Sequence, residues 1–133
     1  MKVGDYVRTD TLGIWKLEFV RKNAKKYTHH LIKQYNDFTI FRNVEEKRIV
    51  KSSPNIIDLI EVGDYVNGFK VLYKGTDIDD YGNDYQEVQV EKEGFINYYL
   101  KEKDIKSILT KEQFESMEYK IGEWLYACHR FIK

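Results

Sequence analysis

The pentapeptide VGDYV stands at Val3–Val7 and again at Val62–Val66, in the run LIEVGDYVNGFKV. The copies lie 59 positions apart in a chain of 133 residues. An internal repeat of this kind fixes the architecture before any single element is assigned, because one unit written twice folds twice. Within the motif, Gly-Asp suits a turn: Gly reaches positive φ without a Cβ penalty, and Asp bonds backbone close to it. Tyr-Val then opens a strand. A turn followed at once by a strand is a common opening of small SH3-like barrels. The repeat therefore predicts a mainly β chain, with a first SH3-like β-barrel over 1–61, a second over 62–109 and a C-terminal α-helix over 110–133.

Strand-like runs follow each copy. In the first they are Gly13–Val20, Tyr27–Gln34 and Phe38–Arg42; in the second, Phe69–Tyr73, Tyr85–Glu91 and Phe95–Leu100. QEVQVE alternates, which puts Val88 and Val90 on one face. Polar or Gly-bearing loops are expected at Lys22–Lys26, Asn36–Asp37, Gly75–Asp84 and Lys92–Gly94. Both copies close alike, EEKRIVKSSPNIIDLI against KEKDIKSILTKEQFESM: charges, a short strand with Lys-Ser, then a helical turn. Ser52 or Ser53 can cap the first turn, with Pro54 early in it. Thr110 can cap the second, with Gln113 completing a capping box. One such unit buries a limited core, so two gain by packing together.

Composition narrows the function classes. The 22 basic and 22 acidic side chains cancel, which argues against a surface wholly devoted to nucleic acid and against an acidic DNA mimic. Cys128 stands alone, so an internal disulfide and a cysteine-based zinc site are excluded and a reduced, cytoplasmic setting is expected. No basic n-region precedes an apolar run, so no signal peptide is expected, and no apolar stretch nears the ~20 residues that cross a bilayer. Gly-rich phosphate loops, nucleophile elbows and HExxH are missing, so no enzyme and no cofactor are expected.

The charge is unevenly placed. Residues 1–61 carry 12 Lys/Arg against 8 Asp/Glu, and residues 62–109 carry 6 against 10. That opposition could dock the two units together or leave a basic and an acidic face. The basic concentration is RKNAKKYTHH: Arg21, Lys22, Lys25 and Lys26 in a hairpin loop, with Tyr27, His29 and His30 beside them. Cations interleaved with rings suit phosphate contact with base stacking, an acidic protein surface, or simply a solvated hairpin tip. Neighbouring His29 and His30 point to opposite faces of a strand, so no shared metal is expected. In DIDDYGNDYQEV, Asp77, Asp79 and Gly82 match positions one, three and six of an EF-hand loop. Tyr81 and Val88 spoil positions five and twelve, so an acidic hairpin is the better reading. Its carboxylates Asp77, Asp79, Asp80 and Asp84, with Tyr81 and Tyr85, could engage a basic groove on a partner. In the tail, Phe114, Met117, Ile121, Trp124, Cys128 and Phe131 trace one helical stripe, which caps the barrel or binds a partner or a second copy as a homodimer. Trp124 and Phe131 are its candidate anchors.

The opening MKVGDYVRT, Lys51–Gly68 (KSSPNIIDLIEVGDYVNG) and Ile105–Gly122 (IKSILTKEQFESMEYKIG) resemble small proteins from phages and prophages of Gram-positive bacteria. The resemblance implies an origin rather than a chemistry. Phage accessory proteins that keep a scaffold and vary their loops are often inhibitors of host defence, anti-CRISPR proteins among them, and no catalytic residues carry over. Gly4, Gly63 and Gly68 then read as turns, and Ile56, Ile57, Leu59 and Ile60 as core. The expected function is a non-enzymatic, phage-derived inhibitor in the host cytoplasm. It would bind a host protein or nucleoprotein complex by steric occlusion. The alternative is a nucleic-acid-binding module using the basic face of the first barrel.

Overall fold

The structure, a computed structural model, describes residues 1–35 and 37–116. The expected tail helix beyond residue 116, with Trp124, Cys128 and Phe131, lies outside the described residues. The chain is mainly β, and its strands form two antiparallel five-stranded sheets. The first contains β1 (Tyr6–Thr9), β2 (Ile14–Val20), β3 (His29–Gln34), β4 (Thr39–Val44) and β5 (Ile49–Ser53), in the order β4-β3-β2-β1-β5. The second contains β6 (Tyr65–Val66), β7 (Phe69–Ile78), β8 (Asp84–Val90), β9 (Tyr98–Lys101) and β10 (Ile108–Leu109), in the order β10-β6-β7-β8-β9. Read from β1 and from β6, the two orders are the same. Each is a four-strand meander whose fifth strand returns to pair with the first. In each, a 3-10 turn precedes the fifth strand, Glu46–Arg48 in one and Glu102–Asp104 in the other. Among the described residues the pairing closes neither sheet into a barrel: β4 and β5, and β9 and β10, remain edges.

The repeated pentapeptide makes the same turn twice. Gly4 N–H donates to Leu17 C=O (2.8 Å), Leu17 N–H to Asp5 C=O (2.8 Å), and Asp5 N–H to Lys2 C=O (3.0 Å). Fifty-nine positions on, Gly63 donates to Val71 (3.0 Å), Val71 to Asp64 (2.7 Å) and Asp64 to Glu61 (3.1 Å). The Asp carboxylate closes both corners, accepting Lys2 N–H at 2.9 Å in one and Glu61 N–H at 2.8 Å in the other. Gly4 and Gly63 sit at φ +94° and +97°, where a Cβ is strained, which is why the motif needs glycine there. A register shift also falls at corresponding places, between Leu17 and Phe19 and between Val71 and Tyr73.

Two apolar cores follow from this correspondence. Val7, Trp15, Leu17, Leu31 and Val44 form one, with Leu12 and Ile49 packed against it. Ile57, Ile60, Val66, Val71, Val88, Val90 and Leu100 form the other, with Phe69, Tyr98, Ile105 and Ile108 against it. Matched through turn and register, Val7, Leu17, Leu31, Val44 and Ile49 answer to Val66, Val71, Val90, Leu100 and Ile105. Ile57 and Ile60 come from the segment joining the sheets yet pack into the second core, so that core reaches back across the junction.

Several boundaries differ from the sequence reading. β7 runs on through Ile78, so the expected loop Gly75–Asp84 shrinks to residues 79–83. The Tyr73 ring lies over Gly75, covering the backbone that a side chain would otherwise shield. β4 continues to Val44 because that residue is buried, and β9 starts only at Tyr98. The turn after β5, Ile56–Leu59, starts from Asn55 with no side-chain cap; Ser53 Oγ instead accepts Asn55 N–H at 3.1 Å. At the second close the capping box is present as expected, with Gln113 N–H donating to Thr110 Oγ1 (3.2 Å) and Thr110 N–H to Gln113 Oε1 (3.1 Å). It opens the helical segment over residues 111–116.

Candidate functional site

One buried ion cluster joins the two sheets. Arg8 on β1 is 1% exposed and its side chain crosses to the second corner. Nη1 and Nη2 donate four hydrogen bonds, and Nε makes an ion contact. Nη1 donates to Asp64 Oδ2 (2.6 Å) and Leu59 C=O (2.9 Å); Nη2 to Asp64 Oδ1 (2.9 Å) and Glu112 Oε2 (2.7 Å); Nε meets Glu61 Oε2 at 3.1 Å. Burial opposes the charge on Arg8, but the hydrogen bonds and charge of Asp64, with Glu61 and Glu112, outweigh it and hold the guanidinium pKa above its ordinary value. Asp64, fully buried, also accepts Glu61 N–H and Lys111 N–H, the latter at 2.9 Å. The Asp of the second VGDYV thus ties its own corner, the first sheet and the start of the 111–116 helix together. Asp5, its counterpart, serves its own corner through one such bond to Lys2 N–H. The cluster is saturated, so it reads as a structural joint rather than a site.

The open surface with the most chemistry is the outer face of the first sheet. Alternation on β3 turns His29 and Leu31 inward and His30 and Ile32 outward. Phe19 on β2 and Phe41 on β4 point the same way as His30. The three rings stack across the strands: Phe19 to His30 at 4.4 Å between centroids and 10° between planes, His30 to Phe41 at 5.4 Å and 27°. His30 Nδ1 is held by Asn43 Oδ1 at 2.6 Å, and Phe41 is 57% exposed. The Arg21 guanidinium carbon lies 5.5 Å from the Phe19 centroid, extending the stack by a cation. A shallow groove beside it is lined by Arg21, Lys25, Lys26, Tyr27, Phe41 and Arg42. Of the residues singled out from sequence, Arg21, Lys25, Lys26 and Tyr27 meet here with His30; Lys22 is exposed on the same loop. His29 does not join them. It is buried at the position that Val88 holds in the second sheet, and its Nδ1 pairs with Thr28 Oγ1 at 2.7 Å. Phe19, Phe41 and Arg42 were missed by sequence reading: Phe19 shares the parity of buried Trp15 and Leu17, and the register shift between Leu17 and Phe19 is what turns it outward beside His30.

The acidic hairpin joins β7 to β8, as the basic loop joins β2 to β3. The two loops of opposite charge are therefore the same connection in the repeated order. Asp79 Oδ1 accepts Asn83 N–H and Tyr81 N–H, both at 2.9 Å, and these bonds hold its carboxyl below the usual carboxylate range. That carboxylate is spent on the turn. Asp77, Asp80, Tyr81 and Asp84 remain exposed, Tyr81 at 90%. Among the described residues no group of three His, Cys, Asp or Glu could hold a metal ion, and no helix is long and apolar enough to cross a membrane.

A cleft of about 290 Å3 separates the sheets, lined by Tyr6, Trp15, Ile32, Lys33, Ile56 and Ile108 among others. The Lys33 ammonium lies 4.9 Å from the Trp15 ring centroid, and burial pushes its pKa down. Comparison with known proteins adds no relative: no family model, curated protein or solved structure matches the chain.

Proposed function

We propose that the chain is a non-enzymatic binding protein of two tandem SH3-like units, and that it occludes a host protein or nucleoprotein complex. Support for the barrel reading is the shared strand order, the 3-10 turn before each fifth strand, and the register shift in β2 and β7, where a strand bends most readily. The observation that carries the binding reading is the Phe19–His30–Phe41 stack, open on a sheet face and flanked by Arg21, Lys25, Lys26 and Arg42. A ring stack beside a cationic groove, with Phe41 shared by both, supplies contact area and steering together. The corresponding acidic hairpin gives the molecule a second, oppositely charged contact suited to a basic groove. Resemblance to phage accessory proteins points to a bacterial host as the source of the target.

Direct binding of single-stranded nucleic acid is the second reading, favoured by the ring stack with its Arg21 cap, since bases stack on rings at ~1–3 kcal/mol each. Affinity capture from a Gram-positive host lysate separates the two. The first reading expects one host protein retained by the wild type and lost by Phe41→Ala with Lys25→Glu and Lys26→Glu; it fails if no protein is retained, or if the variant retains the same one. The second expects oligonucleotide binding that weakens steeply with salt.

A further inference from the structure

The connection between β8 and β9 builds a second, unrelated arrangement. Lys92 sits at its start and points its ammonium into a corner of three rings: 4.3 Å from the Tyr98 centroid, 4.8 Å from Phe95 and 5.4 Å from Phe69. The ring planes stand steeply to one another, Phe95 at 65° and Phe69 at 62° to Tyr98, so they form walls rather than a stack. Phe69 and Tyr98 are anchored against the second core. Phe95 is 54% exposed, fixed by a turn in which its N–H donates to Lys92 C=O at 3.1 Å. Glu91 and Glu93 flank Lys92 in sequence, yet among the described residues Lys92 makes no ion pair. Its charge is matched by ring faces instead of carboxylates.

We infer that this corner is a binding cage for the methylated lysine side chain of a partner, with Lys92 as its internal plug. Three rings around one cation concentrate the negative faces of their π-systems on a single point. The present occupant is itself an ammonium on a four-carbon stem, so the cage already fits the shape of a lysine. An unmethylated ammonium gives up strong hydration to enter and finds no acceptor there. Methyl groups replace those N–H donors, keep the charge and lower that cost. A methylated lysine therefore outcompetes Lys92, whose tether otherwise gives it the advantage of high local concentration. The inference uses residues separate from the face of the first sheet, so either can fail alone.

The test is an NMR titration of the amides around Phe95 and Tyr98 with three N-acetylated, amidated amino acids: trimethyllysine, lysine and norleucine. Proteins compared are the wild type, Lys92→Ser, Lys92→Gln and the double variant Lys92→Ser with Phe95→Ala, each checked for native amide dispersion. Both single variants should bind trimethyllysine roughly tenfold more tightly than lysine, and norleucine still less, as loss of a cation–π contact implies. The wild type should bind several-fold more weakly than either, and the double variant should lose the preference. Folded Lys92→Ser and Lys92→Gln proteins that bind trimethyllysine no better than the wild type, or no better than norleucine, would overturn the inference.

Discussion

Replacing Arg8 by Met leaves Asp64 fully buried with two of its four hydrogen-bond donors, the Glu61 and Lys111 amides. It also removes the counter-charge from Glu112 and half of that from Glu61, which keeps Lys111 at 3.0 Å. Breaking a buried, hydrogen-bonded ion pair from one side costs ~3–5 kcal/mol, most of it the uncompensated charge left behind. Asp5→Ala in the first corner removes a single backbone-to-carboxylate bond, worth ~0.5–1.5 kcal/mol. Same motif, same turn, different cost: the contrast is set by burial and partners, not by the local sequence. Urea unfolding followed by Trp fluorescence measures both. With m of ~2 kcal/mol/M, Arg8→Met should lower the midpoint by ~1.5–2.5 M and Asp5→Ala by ~0.3–0.8 M. Arg8→Met with Asp64→Leu removes the orphaned carboxylate but strips the Glu61 and Lys111 amides of their acceptor, so it should recover only part of the loss. An Arg8→Met protein within ~1 kcal/mol of the wild type would refute the reasoning.

Two further outcomes follow. Hydrogen bonds from Ser53 Oγ and from the Gln86 amide hold the Asp58 carboxyl below the usual carboxylate range. A lowered carboxyl pKa contributes stability that is complete above the ordinary value near pH 4 and is lost as pH falls through the folded value. Asp58→Asn should therefore flatten the acid limb of a stability–pH curve below about pH 4 and leave the curve near neutrality with the same slope; an unchanged acid limb would refute it. Burial pushes the Lys33 amine down, so its charged form is penalised in the fold and stability gains as pH climbs through the folded value toward ~10.4. An NMR titration of the Lys33 side chain should place its midpoint below the ordinary lysine value; a midpoint at or above that value would contradict this.

The repeat itself was legible because a turn needing positive φ and a local carboxylate has few spellings, and VGDYV is one of them. Alternation exposed Val88 and Val90, and Thr110 with Gln113 announced a capping box that is present. What stayed hidden depends on distant partners. A single Arg8 in a strand carries no sign that it will meet Asp64, 56 positions away. Gly75 read as a loop because its cover, the Tyr73 ring, is a side-chain conformation and not a sequence pattern. His29 looked like a surface group beside His30, although period-two alternation sends one of any adjacent pair inward. The Phe19–His30–Phe41 stack draws one ring from each of three strands, and the Lys92 cage draws rings from β7, the loop and β9, so neither has a contiguous signature.

The central claim is that one five-stranded unit occurs twice, with its fifth strand returning beside its first. Inter-strand NOEs test it most directly. The account predicts contacts from Val7 to both Trp15 and Ser52, and from Val66 to both Phe69 and Ile108. Contacts that instead pair β5 with β6, running both corners into one continuous sheet, would contradict it.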